Sequence, residues 1–137
     1  MTQECTLVYE TGIPIQFTCA DGTGIEKGAI LKITDPNTVA LADGDGDPVA
    51  GIAAAEKIAS NGQVKIAVHT EGIFIGTAGA TGATAGQGIM TYNGTGDDND
   101  IVVCSAGEDN VMGTALETAA SNETFMFVLK PTNRDIA

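Results

Sequence analysis

The residues best suited to chemistry lie in an acidic loop, Asp43-Gly44-Asp45-Gly46-Asp47. Carboxylates at alternate positions are how calcium loops begin, because calcium takes oxygen ligands. Such a loop has Gly at its sixth position and Glu at its twelfth, where this chain has Pro48 and Ala54. We therefore interpret the loop as an exposed, solvated turn. Weak calcium binding by its three aspartates is the alternative.

Other catalytic groups are sparse. His69 is the single histidine, and it ends an alternating apolar segment, which favours a surface or packed structural role over that of a general base. The three cysteines, Cys5, Cys19 and Cys104, lack C-x-x-C spacing, which argues against a disulfide framework or a structural zinc site. The chain also lacks the G-x-S-x-G nucleophile motif and the Gly-rich phosphate-binding motifs. These observations predict no catalytic, cofactor-binding or metal-ligating residues and a protein that is not an enzyme.

Composition narrows the class of partner. The chain has 137 residues and a net charge of −12, from 6 basic and 18 acidic side chains. This balance argues against nucleic acid and anionic membranes as partners, because phosphate contacts require Lys and Arg. No apolar run approaches the roughly 18 residues that span a bilayer, and the first residues, MTQECTLVYE, do not resemble a signal peptide. The length predicts one domain, or two very small ones.

The elements that hold these residues are short strands. Apolar residues alternate with polar ones at Ile13, Ile15, Phe17 and Cys19, and again at Val64, Ile66 and Val68. A period of two indicates half-buried strands, and Pro14 favours an edge position for the first of them. Turn signals at Asp35-Pro36-Asn37 and Asn61-Gly62 separate the strands. About ten such segments predict an all-β barrel or sandwich with short or no helix.

The sequence also contains an internal duplication. Three matches carry it: Lys27-Gly28 with Gln87-Gly88, Val49-Ala50-Gly51 with Val111-Met112-Gly113, and Val64, Ile66 and Val68 with Phe125, Phe127 and Leu129. We expect residues 24–75 and 82–131 to form two similar halves that close around one core as a single barrel. Gly51 and Gly113 lie inside apolar strands, which indicates a bulge or a close backbone approach.

The first twelve residues have no counterpart in the duplication. We divide the chain into an N-terminal arm, residues 1–12, and a β-barrel domain, residues 13–137. The arm contains a strand-like stretch, Cys5, Thr6, Leu7, Val8 and Tyr9. Two interpretations remain open: a frayed terminus, or an arm that stays mobile until it adds a strand to the sheet of another protein.

The order of these motifs is similar to that of a known family. A polar turn with Lys-Gly or Gln-Gly, an acidic turn, Val-Ala-Gly-Ile-Ala or Val-Met-Gly-Thr-Ala, and an alternating strand ending in Glu-Gly-Ile-Phe follow one another. The pattern, over residues 13–130, resembles the small head decoration (cement, or capsid-stabilising) proteins of tailed bacteriophages. The resemblance implies a non-enzymatic virion protein, made in the host cytoplasm, usually a homotrimer. It would bind the major capsid protein on the outer surface of the expanded head, with the strand-like stretch of the arm as the candidate contact.

A different class of function also fits a small β-domain. A carbohydrate- or ligand-binding domain of a phage tail or cell-surface protein would need a concave site with aromatic side chains. The chain has 2 Tyr, 4 Phe and no Trp, and most of these aromatics occupy positions that should face the core.

Overall fold

The computed structural model describes residues 4–92, 99–104 and 110–132, and all the regular secondary structure in these ranges is β-strand. The eleven strands are β1 (Thr6–Tyr9), β2 (Ile15–Thr18), β3 (Ile30–Asp35), β4 (Thr38–Leu41), β5 (Val49–Ala53), β6 (Lys65–His69), β7 (Gly72–Ala78), β8 (Gly88–Tyr92), β9 (Asp100–Val103), β10 (Val111–Ala115) and β11 (Thr124–Thr132). The predicted all-β class is confirmed. In this part of the chain no helix is long and apolar enough to cross a membrane.

The first barrel is a closed ring of five strands in the order β2-β4-β3-β5-β6. The ring closes at β2, which pairs antiparallel with β6 on one edge and parallel with β4 on the other. Turn residues set the hairpins. Asn37 adopts a φ of 53° between β3 and β4, and Gly62 adopts a φ of 89° before β6. Both predicted turns therefore lie where the chain reverses.

The second copy repeats this topology strand for strand. Its sheet runs β1-β7-β11-β10-β8-β9, and β9 pairs again with β7. Strands β7 to β11 thus have the cyclic order of β2 to β6, with β7 antiparallel to β11 and parallel to β9. The extra strand, β1, pairs antiparallel with β7.

The duplication differs from the predicted one in how the copies close. We expected 24–75 and 82–131 to be halves of one ring, but β2 to β6 complete one ring before β7 begins the next. The reason is that β2 pairs with both β4 and β6, and β7 pairs with both β9 and β11, so each of these two strands closes a ring within its own copy. The first copy therefore runs over residues 15–69 and the second over residues 72–132. Residues 1–3 of the predicted arm and 133–137 of the predicted barrel domain lie outside the described residues.

Two apolar cores hold the copies. Leu31, Ile66 and Val68 are among the residues that fill the first barrel. The larger core contains Phe74, Phe125 and Phe127 of the second copy. It also includes four side chains of the first copy, Ile30, Ala42, Val49 and Ile52. The barrels thus share a buried seam, because β3 and β5 bury residues on both of their faces.

Candidate docking surface

The N-terminal segment, residues 5–15, runs alongside both barrels. Thr6 pairs with Ile75 and Tyr9 with Ile73 on β7, and further along Ile15 pairs with Val68 on β6. Between the two pairings, Gly12 passes close to Glu71, because a Cβ added to Gly12 would lie 2.7 Å from the Glu71 carboxylate. The segment therefore follows β6 and β7 in the antiparallel direction and joins the second barrel to the first.

The expected unpaired arm is thus a paired edge strand. Its anchor is Cys5, which is 6% exposed and contributes to the core of the second copy. The Cys5 N–H donates to the Gly28 carbonyl at 2.8 Å, which ties the strand to the first copy as well. Periodicity within the segment could not show this, because the partner strand lies more than sixty residues away in sequence.

The five predicted contact residues therefore differ in accessibility. Cys5 is buried, Val8 is half-buried, and Thr6, Leu7 and Tyr9 are exposed. Burial also raises the pKa of the Cys5 thiol to about 12, so the thiol stays protonated at neutral pH and is not a thiolate nucleophile. Whether the exposed members touch a capsid stays a prediction.

Exposed apolar side chains concentrate on this segment. Of the eight large hydrophobic side chains exposed in the described residues, four lie between residues 7 and 15: Leu7, Tyr9, Ile13 and Ile15. Ile13 is 86% exposed and Tyr9 is 63% exposed. The alternating pattern predicted buried positions for Ile13 and Ile15, and that was wrong. Pro14, a residue typical of edge strands, was the sequence signal for their exposure.

A cavity of about 750 Å³ opens beside the same segment, with residues of β1, Pro14 and His69 among its walls. His69 is buried, and its ring packs edge-on to Phe74 with centroids 5.6 Å apart. Its Nδ1 lies 3.9 Å from the Glu10 carboxylate, beyond hydrogen-bonding distance. Burial raises the pKa of the Glu4 carboxyl, and Glu26 adds to the rise.

The acidic loop serves to join the copies. The Asp47 carboxylate accepts hydrogen bonds from the N–H groups of Asp43 and Gly44, at 2.9 Å each. The Thr91 hydroxyl of β8 accepts from the Asp47 N–H and donates to the Gly44 carbonyl. Asp43 and Asp45 are exposed, as predicted. Asp47 is half-buried because its carboxylate accepts the two N–H hydrogen bonds of the loop, so the predicted exposed turn was wrong for Asp47. Across the described ranges, no three His, Cys, Asp or Glu side chains are grouped to hold a metal ion.

Comparison with known proteins assigns the chain to a family. The sequence model of the phage cement proteins matches residues 9–130, which is most of the chain. The chain belongs to the phage cement protein family. This cement protein accordingly has a head-decorating, capsid-stabilising role and is located on the phage head.

A solved structure shares the fold. It is the N base of the head fiber gp8.5 in bacteriophage phi29, with a TM-score of 0.53 and 13% sequence identity. The likeness covers 90% of this cement protein and 99% of the fiber base. The chain has no match among curated protein sequences.

Proposed function

We propose that this cement protein binds the major capsid protein on the outer surface of the expanded head, with the exposed apolar N-terminal segment as its contact. The observation that carries the proposal is the concentration of Leu7, Tyr9, Ile13 and Ile15 on one short stretch of the chain. A large apolar patch on a soluble domain typically marks an interface, and Tyr is enriched among residues that anchor interfaces.

The charge of the protein supports an apolar contact. A net charge of −12 limits aggregation of the free protein, and it leaves an acidic surface on the particle. Binding through a strongly acidic face would require desolvation of many carboxylates, whereas apolar side chains stabilise the complex by roughly 25 cal/mol per Å² buried.

The same observations favour a structural over an enzymatic or sugar-binding role. In the described parts of the chain, Tyr9 is the one exposed aromatic residue, and Phe74, Phe125 and Phe127 are fully buried. A carbohydrate site would need aromatic faces in a concave surface, so a glycan-binding domain of a phage tail is the weaker candidate. The protonated Cys5 thiol and the packed His69 give no support for catalysis.

We further propose that the protein acts as a homotrimer and is made in the host cytoplasm before it binds heads. Exposed apolar residues away from the N-terminal segment, such as Ile33 and Leu116, leave surface for contacts between copies. Sedimentation at high protein concentration, and of protein released from heads, measures the stoichiometry. Monomers in both samples would contradict the trimer.

Head binding of surface variants tests the contact. Tyr9→Ser combined with Ile13→Ser should lower occupancy on expanded heads at least about tenfold, since two apolar anchors are lost. Ile58→Ser is the matched control, because Ile58 is 69% exposed and lies between β5 and β6. Equal binding of both variants and the unaltered protein would refute the contact, and a glycan screen of the same samples tests the alternative.

A further inference from the structure

The duplication allows each position of β2 to be matched with one of β7. Thr18 pairs with the parallel strand β4, and Thr77 pairs with the parallel strand β9. On the other edge, Phe17 pairs with Ile66 of β6, and Gly76 pairs with Phe125 of β11. The same count places Ile15 at the position of Phe74. The two strands are therefore equivalent along their whole shared length.

One edge is filled in the second copy and open in the first. On the edge of β7 that pairs with β9, the preceding residues 73–75 pair with β1, and Leu7 lies opposite Phe74. On the edge of β2 that pairs with β4 at Thr18, no strand of the described chain pairs with the preceding residues 14–16. The two side chains also differ in exposure. Phe74 is 1% exposed, through its packing on His69 and Phe127 as well as its position beside β1, whereas Ile15 is 52% exposed. The first copy thus has an unoccupied counterpart of the site that β1 occupies.

Backbone hydrogen bonds identify which groups face the open edge. The Thr18 N–H donates to the Asn37 carbonyl on the β4 side, and the Cys19 N–H donates to the Val64 carbonyl on the β6 side. Alternate residues of a strand present their backbone groups to opposite edges, so Gln16 and Pro14 face the open edge with Thr18. The edge therefore offers the N–H and carbonyl of Gln16 and the carbonyl of Pro14. Pro14 has no N–H to leave unpaired.

We propose that the open edge of β2 is a docking site for an extended strand of the phage capsid, which pairs antiparallel with residues 14–16. The inference rests on the proposed function, and it adds a strand-pairing mode to the apolar contact. Strand β1 shows the properties that such an occupant needs, because it is extended, antiparallel and has an apolar Leu7 opposite Phe74. A capsid strand with an apolar residue opposite Ile15 would cover Ile15 in the same way.

A second copy of this chain is the less suitable source of that strand. It could offer β1 or its own open β2 edge. Strand β1 already pairs with its own β7. Its Cys5 is buried in its own core and bonded to Gly28, so exchange would break both contacts. Two β2 edges could share at most two backbone hydrogen bonds, because each offers one N–H, whereas a capsid strand could accept from Gln16 and also donate to the Gln16 and Pro14 carbonyls. A capsid segment meets neither obstacle, which is why we assign the site to the capsid.

The backbone of Gln16 provides the test. Gln16→Pro removes the one N–H on the open edge and keeps the N–H groups of Ile15 and Phe17 that face β6, whereas Gln16→Ala removes the side chain and keeps the N–H. We expect Gln16→Pro to weaken binding to expanded heads at least about tenfold and Gln16→Ala to change it less than about twofold. Equal binding by the two variants would overturn the proposal.

Hydrogen exchange gives a second readout that needs no variant. The Gln16 amide of the unaltered protein should exchange rapidly in solution and at least about tenfold more slowly on heads. Rapid exchange on heads would refute strand pairing while the head binding itself stands. Slow exchange in concentrated protein without heads would assign the edge to a second copy, against our proposal. If the unaltered protein does not bind heads, the proposed function itself fails.

Discussion

At the residue scale, Gly51 and Gly113 are the positions that tolerate an added side chain least. They occupy matching places in β5 and β10, and a Cβ on either would overlap a backbone carbonyl, that of His69 or Val128. The close backbone approach predicted from the sequence is therefore confirmed. Because the obstacle is backbone and not a flexible side chain, the strands would have to move apart to admit a methyl group.

We expect Gly51→Ala and Gly113→Ala each to lower the free energy of unfolding by about 1–3 kcal/mol or more, as in other overpacked sites. Chemical denaturation measures the change. Gly22→Ala is the control, since a Cβ there meets nothing within 4 Å, and its effect should stay within about 0.5 kcal/mol. An equal effect of all three substitutions would contradict the packing argument.

Glu4 gives the protein a specific pH dependence. Burial raises the pKa of its carboxyl above the ordinary 4.5, so the folded state binds this proton more tightly than the unfolded state. The contribution of Glu4 to stability therefore falls as pH rises from about 4.5 through the raised pKa. We expect Glu4→Gln to gain stability relative to the unaltered protein as pH rises from 4.5 to 7.

Thermal unfolding at several pH values measures this difference. Glu56→Gln is the matched control, because it removes the same formal charge from an exposed position between β5 and β6. A difference for Glu4→Gln that is flat in pH, or that matches the control, would show that its carboxyl titrates alike in both states.

At the element scale, β1 is the strand whose role depends most on the structure. Deletion of residues 1–9 should lower the free energy of unfolding by roughly 3 kcal/mol or more, because it uncovers the β7 edge and removes the buried Cys5. Tyr9→Ala should cost less than about 1 kcal/mol, since Tyr9 is mostly exposed. An unchanged unfolding midpoint after deletion would restore the frayed-terminus interpretation.

The elements also show what sequence patterns can and cannot predict. Alternation and turn residues predicted the strands, and motif order predicted the duplication. The register was less accurate at two of the matches. Gly28 matches Gly86, not Gly88, because Gly28 and Gly86 donate equivalent hydrogen bonds to Ala53 and Ala115. Phe125 matches Ile66, not Val64, because the two pair with the equivalent residues Gly76 and Phe17. Each error spans two residues, and a slip of two keeps every side chain on its face, so the apolar pattern could not reveal it.

The pairing of strands that lie far apart in the chain could not be predicted from the sequence. Nothing in the alternation of Ile13 and Ile15 distinguishes a covered strand from one with an open edge, since both require the same period of two. The open edge of β2 became visible only by comparison with β7, where β1 fills the equivalent place. Of the residues in the proposed contact, the sequence pattern suggested Leu7 and Tyr9, and their exposure in the structure led us to add Ile13 and Ile15; the contact itself stays a prediction.

At the scale of the whole molecule, three kinds of contact join the barrels. Apolar residues of the first copy, such as Ile52, enter the core of the second. The Ile30 N–H donates to the buried Asn99 side chain at 3.0 Å. Thr91 holds the acidic loop of the first copy through its hydroxyl. A barrel separated from its partner would expose this seam, so neither copy is expected to remain folded alone.

The protein should therefore unfold in one cooperative transition, with equal calorimetric and van't Hoff enthalpies. Thr91→Val should lower the midpoint by about 3–8 °C without splitting the transition, because it removes two hydrogen bonds and leaves the apolar seam in place. Thr124→Val, at an exposed position of β11, is the control and should shift the midpoint much less. Two resolved transitions in the unaltered protein would mean that the copies fold independently and that the seam is a weak contact between them.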